Sequence, residues 1–283
     1  TIVKQTITAK PTVSGSPTFG TTISAALDAI PADARTNIGY QWYRSDTETG
    51  TGTAITGATS ATYVVIGDDI GKWLYVAVTV DSANATYRGT TRSLAVEGGK
   101  EIITATIGIS GSAKYDEELT ITIGSLTPAG ATYDVIWYRD GVQLKRGDGA
   151  TLANTQYTLV KDDIGTVISA TIIGTGNYTG TPTAATTATV TKADGPEKPA
   201  APTAVSNTYS TITVTGITGY AYKIDSGSWG ATRTSDGTFD FTGLSPNTEH
   251  SIYCYIPETD THFASVSSDA TVVTTLKQTI TGS

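Results

Sequence analysis

The chain has no methionine, one cysteine and two histidines in 283 residues. The single thiol, Cys254, excludes any intrachain disulfide. Few thiols suit a reducing cytosol, and they suit equally an exported protein built without disulfides. Both histidines, His250 and His262, fall in the last third. No Ser-His-Asp or Cys-His arrangement can therefore be assembled in the first two thirds. One Cys and two His are also too few for a typical structural zinc site. No stretch of 18 apolar residues occurs, so nothing reads as a transmembrane helix. Charged residues make up only 16%, the basic ones scattered singly, and the net charge is −8. That balance disfavours nucleic acid or an anionic membrane surface as partner, since both need clustered Lys and Arg. Long runs with a 3.6-residue period are absent, so almost no helix is expected. The chain opens on Thr1 without a signal peptide. With no Met either, it is expected to be a piece of something longer.

What is present is strand chemistry. Threonine is about one residue in five, with many Val, Ile and Tyr, types that fit a pleated, half-buried surface. The same pattern is also written twice. Tyr40-Gln41-Trp42-Tyr43-Arg44 returns as Val135-Ile136-Trp137-Tyr138-Arg139. Asp68-Asp69-Ile70-Gly71 returns as Asp162-Asp163-Ile164-Gly165, and Ser14-Gly15-Ser16 as Ser110-Gly111-Ser112. The offsets are 137 − 42 = 95, 162 − 68 = 94 and 110 − 14 = 96. A register held this far marks a whole duplicated domain, since solenoid units are shorter. Short alternating runs broken by Gly, Pro, Asn and Asp fill each copy, about seven strands apiece, as in a two-sheet sandwich.

A third segment follows a Pro/Ala stretch that reads as a semi-rigid, extended linker over residues 193–201. The expected units are residues 1–97, 98–192 and 202–276. Lys277-Gln278-Thr279-Ile280-Thr281 repeats Lys4-Gln5-Thr6-Ile7-Thr8, so residues 277–283 read as the start of a further repeat. The fold class predicted is all-β: three tandem antiparallel β-sandwiches.

Trp-Tyr-Arg, the Gly57-Ala58-Thr59-Ser60-Ala61-Thr62-Tyr63 segment and the Asp-x-Gly turn resemble the Ig-like modules repeated in bacterial cell-surface proteins. Asp140-Gly141 looks like the hairpin turn of that fold. Where vertebrate Ig domains carry a cysteine pair, this chain has roughly Leu27 with Tyr75, and Ile123 with Ser169. In the third segment Leu244-Ser245-Pro246-Asn247-Thr248 before a strand resembles a fibronectin type III module, with His250 at the position of that family's corner tyrosine. The resemblance implies Ig-like, Ig-like and fibronectin III-like sandwiches. It implies an extracellular or cell-wall-attached, non-catalytic stalk or adhesion segment, monomeric, with an extracellular glycan or a host or matrix protein as partner.

Candidate chemistry is sparse. No catalytic residue, cofactor or metal site is expected. His250 and Cys254 share a strand face four residues apart, about 13 Å by strand rise, too far for a dyad. The Asp68-Asp69 and Asp162-Asp163 pairs lack the further oxygens calcium needs; the second Asp of each is expected to accept backbone hydrogen bonds in its turn. Trp42 and Trp137 read as core, Cys254 as a buried thiol. Three aromatics are candidate ligand contacts. Trp229 is expected in a loop or edge strand, where an exposed indole can stack on a sugar. Tyr87 and Tyr178 recur at matching hairpins, which also suits a structural Tyr-x-Gly-Thr device. Trp229 and the tyrosines motivate an alternative function, a carbohydrate-binding accessory module of an extracellular glycosidase. Asn84-Ala85-Thr86 and Asn177-Tyr178-Thr179 match the glycosylation pattern.

Overall fold

The computed structural model describes residues 3–145 and 154–279. The expected repeat start at 277–283 is thus described only through Thr279; the rest lies outside the described residues. The described residues form strands and three short 3-10 turns, without an α-helix.

Each duplicated unit pairs a three-stranded sheet with a larger one. In the first, Thr12–Ser14, Thr22–Ala26 and Thr62–Val64 lie side by side. The facing sheet runs Gln5–Thr6, Tyr87–Arg92, Trp73–Val80, Ile38–Ser45, Thr53–Ala54, with Val96–Glu97 also on Trp73–Val80. In the second, Thr104–Ser110, Glu118–Thr127 and Gln156–Thr158 face Val142–Gln143, Tyr133–Arg139, Val167–Gly174 and Ala185–Thr189. The third has three strands per sheet: Ala204–Asn207, Thr211–Gly216, Gly237–Thr242 against Ala221–Ile224, Glu249–Tyr255, Thr271–Thr274. Most pairings are antiparallel, but Gln5–Thr6 runs parallel to Tyr87–Arg92, and Glu101–Ile102 parallel to Tyr178–Thr179.

Each sandwich has a main core, and the first adds a smaller cluster of Ile7, Ile30, Ala34 and Val80. Trp42 packs with Ile23, Leu74, Val76 and Val78; Trp137 with Leu119, Ile168, Ala170 and Ile172; Tyr222 with Ile212, Val214, Ile252 and Cys254. Both tryptophans are fully buried, as their repeat position implies. Each indole N–H donates to a carbonyl: Trp42 to Ser60 at 3.0 Å, Trp137 to Asn154 at 2.7 Å. The Gly57-Ala58-Thr59-Ser60 segment thus wraps the first indole, and Ala58 O also accepts the Trp42 backbone N–H. Tyr63 stacks on the first indole at 5.8 Å, and Tyr157 meets the second at 5.7 Å with a 34° tilt. Asp140 and Gly141 take φ of 45° and 79°, the conformation of a two-residue type I′ hairpin, and join Tyr133–Arg139 to Val142–Gln143.

One expected register slips by a residue. Trp42 lies opposite Val76 and Trp137 opposite Ala170, so Val76 and Ala170 face the core. Tyr75 and Ser169 point the other way, because side chains alternate along a strand. Tyr75 instead lies flat against Tyr43 on the outer face, 4.9 Å apart and 3° from parallel, with the Arg92 guanidinium 4.8 Å from its ring centroid.

The Pro/Ala stretch is extended but does not stand free. Pro199 and Pro202 are buried, Ala200 O accepts the Cys254 thiol at 3.4 Å, and Thr271 Oγ1 donates to Pro202 O. Lys198 pairs with Asp269 at 2.6 Å.

Deleting a fully buried indole leaves a cavity. Trp137→Ala is expected to destabilise the second sandwich by about 3–5 kcal/mol, read as an earlier midpoint in chemical denaturation. A loss under about 1 kcal/mol would show that the ring does not carry that core.

Candidate functional site at the joints between sandwiches

Trp42 and Arg44 are two apart on one strand and so share its inward face. The indole fills the centre; the guanidinium reaches the end of the sandwich, where Asp69 is 0% exposed. Asp69 sits on the 3-10 turn Gly67–Asp69, held back against the sheet by Gly71 at a φ of 73°, which favours glycine. Its Oδ1 accepts Arg44 Nε at 2.6 Å; its Oδ2 accepts the Tyr63 hydroxyl at 2.7 Å and the Ile66 N–H at 2.8 Å. The second repeat copies this. Asp163 accepts Arg139 Nε at 2.7 Å, the Tyr157 hydroxyl at 2.8 Å and the Val160 N–H at 2.7 Å. The expected backbone bond is there, but the Arg and Tyr partners went unread. A buried carboxylate is tolerable because it is paired and hydrogen-bonded throughout. Those donors also occupy the oxygens a cation would need, and among the described residues no three His, Cys, Asp or Glu gather at a metal-binding distance.

The two joints share a second device. At the first, Gly99 N–H donates to Pro17 O at 2.8 Å and Phe19 N–H to Gly99 O at 2.8 Å. Two residues later Glu101 pairs in parallel with Tyr178, through Glu101 N–H to Asn177 O at 3.1 Å and Ile103 N–H to Thr179 O at 2.8 Å. Phe19 of the first sandwich meets Tyr178 of the second edge-to-face, centroids 5.4 Å apart at 88°. At the second joint Thr191 N–H donates to Ala113 O at 2.9 Å and Tyr115 N–H to Thr191 O at 2.8 Å. Two residues later Ala193 bridges His262 in parallel, and Tyr115 meets the His262 ring at 5.6 Å and 74°. Phe19 and Tyr115 are 115 − 19 = 96 apart, the repeat offset itself. Ion pairs flank the second joint: Lys114–Asp194 and Lys161–Asp260 at 2.7 Å, Lys192–Glu258 at 3.4 Å. The Lys161 hydrogen bond holds the Asp260 carboxyl below its usual range. Exposed pairs of this kind are screened by water and contribute little; the aromatic contacts add roughly 0.5–1.5 kcal/mol beyond burial.

The candidate ligand contacts do not converge. Tyr178 is a joint ring. Tyr87, its counterpart at the head of the first sandwich, pairs with Gln5 and packs on the cluster of Ile7, Ile30, Ala34 and Val80. Trp229 lies outside the strands, half-buried, 4.3 Å from the Tyr255 ring and with Lys223 Nζ 4.8 Å from its centroid. His250 and Cys254 form no dyad. His250 Nδ1 bonds Asp225 Oδ2 at 2.7 Å, a partner 25 residues away in the Asp225-Ser226-Gly227 turn. Burial pushes the Cys254 thiol up. Asn84 is 5% exposed, with its amide donating to Asp33 O at 2.7 Å, so the first glycosylation match is closed.

No protein-family model matches the chain, and no curated protein matches it. Among solved structures it is similar to the crystal structure of the chicken CNTN1 FN1-FN3 domains. The identity is 14% and the TM-score 0.27, over 95% of this chain and 99% of that one. An overlay that loose adds nothing on function.

Burial, and then donation to the buried carboxylate, push the Tyr63 and Tyr157 hydroxyls up from 10.0 to about 12. The neutral phenol is the favoured form in the fold. Its contribution to stability is fully present below pH 10 and is lost as pH rises toward 12. Alkaline titration of the folded chain should therefore show late-ionising tyrosines, and joint replacement of Tyr63 and Tyr157 by Phe should flatten the stability loss over that window. Simultaneous ionisation of all tyrosines near pH 10 would contradict this.

Proposed function

We propose that the chain is a non-catalytic stalk or adhesion segment of a secreted or cell-surface protein, spacing or displaying a binding module. The observation that carries this is one joint built twice, with an outgoing strand, an edge-to-face ring pair and the same two-residue step. A spacer needs its units held at a fixed pitch, and hydrogen-bonded joints provide that. The bacterial and cell-wall setting is supported by the motif resemblance, and with it a glycan or a host or matrix protein as the partner reached by the displayed module. Net charge of −8 speaks against nucleic acid. Among the described residues no helix is long and apolar enough to cross a membrane.

The alternative, a carbohydrate-binding accessory module, rests on Trp229, and the contacts of Lys223 and Tyr255 with that ring weaken it. Trp229→Ala would have to abolish binding on a polysaccharide array for that reading to stand.

Small-angle scattering on the full chain tests the stalk. The expected particle is an elongated monomer. A radius of gyration near the ~19 Å of a compact chain of this length would overturn the proposal.

A further inference from the structure

Each of the three sandwiches places an aromatic in one early turn: Phe19 between Thr12–Ser14 and Thr22–Ala26, Tyr115 between Thr104–Ser110 and Glu118–Thr127, and Tyr209 between Ala204–Asn207 and Thr211–Gly216. Each also has a departing strand that donates to that turn. The bonds are Gly99 N–H to Pro17 O at 2.8 Å, Thr191 N–H to Ala113 O at 2.9 Å, and Leu276 N–H to Thr208 O at 2.9 Å. Tyr209 follows its accepting residue by one position, Phe19 and Tyr115 by two. Two residues beyond the donor, the first joint sets Glu101 beside Tyr178 and the second sets Ala193 beside His262. Two residues beyond Leu276 is Gln278.

Lys277-Gln278-Thr279 repeats Lys4-Gln5-Thr6, and Gln5 pairs in parallel with Tyr87. Tyr87 is the first sandwich's counterpart of Tyr178, the ring that Phe19 touches. Two of the three turn aromatics therefore have a ring against them, while Tyr209 is 48% exposed and Leu276 54%. Between them lies a cleft of about 420 Å³, lined by Thr208, Tyr209, Leu276, Lys277, Gln278 and Thr279.

We propose that this cleft is a joint surface whose occupant is the head of another sandwich of this chain's first type, its ring at the Tyr87 position set edge-on to Tyr209. The two internal joints supply the geometry, and the sequence at residues 277–279 supplies the register. The inference rests on the stalk reading and extends it: the segment carries a docking half at its distal end, so spacers can be added in line. Such an interface is heterologous, one surface meeting a different one, and it propagates without closing.

The test extends the full chain. Residues 1–281 are followed by a copy of residues 9–99, so that Lys277-Gln278-Thr279-Ile280-Thr281 serves as the opening of a second first-type sandwich. A second extension carries residues 105–192 instead, presenting Tyr178 as the ring. Hydroxyl-radical labelling of Tyr209, in a peptide present once in each chain, is compared with the unextended chain. The labelling should fall several-fold in both extensions and return when the appended Tyr87 is replaced by Ala. Tyr209 equally reactive in all the chains overturns the docking proposal. Scattering on the unextended chain separates this from the stalk reading, which survives such a result if the particle is elongated. Protection in the unextended chain that grows with concentration would assign the surface to a second copy in trans and overturn the in-line occupant.

Discussion

The arrangement of this chain depends on a strand that belongs to two sandwiches at once. Residues leaving one unit bond to the turn that holds Phe19 or Tyr115, and two positions later they pair in parallel with the head of the next. Backbone N–H and C=O groups must find partners wherever water is excluded. Each bond adds only about 0.5–1.5 kcal/mol net, but two consecutive sets, a step of two residues apart, leave little freedom between the units. The edge-to-face rings follow from that placement: Phe19 can meet Tyr178, and Tyr115 can meet His262, because the shared strand brings turn and head together. Without the strand pairing, a single aromatic contact would be a weak tie between two domains.

Inside the duplicated units the same economy appears. A disulfide is excluded by composition, and the positions opposite the tryptophans are Val76 and Ala170. The central indole is anchored through its N–H, and the end of the sandwich is closed by a fully buried carboxylate holding an arginine, a tyrosine and a turn N–H. That carboxylate ties its own turn and the strand just before it to an arginine 25 residues away in the first copy and 24 in the second. It also orients the turn from which the strands Trp73–Val80 and Val167–Gly174 depart. Its two copies agree within 0.1 Å across all three bonds.

Much of this was legible because it is local. The Trp strand, the Asp-x-Gly turn, the Asp140-Gly141 hairpin and the inward Cys254 each announce themselves within a few residues. Tyr75 and Ser169 were misplaced because a period of two turns a one-residue slip into the opposite face. The parallel pairing of Gln5 with Tyr87 spans 87 − 5 = 82 residues and leaves no local mark. The Arg44–Asp69 contact spans 25 residues and leaves no local mark either, whereas Tyr63 is only six residues from Asp69 and recurs with it in the second copy. Phe19 and Tyr115 carried a readable signal, the 96-residue offset. His262 did not, since it belongs to a segment with no repeat to compare. Trp229 is legible as an aromatic in a loop, but its neighbours Lys223 and Tyr255 come from two different strands.

These joints fix each sandwich relative to the next. Residual dipolar couplings measured on the full chain in a weakly aligned medium test this directly. Couplings from all three sandwiches should fit one alignment tensor of common magnitude. Three tensors of different magnitude would show units that reorient independently and would contradict it.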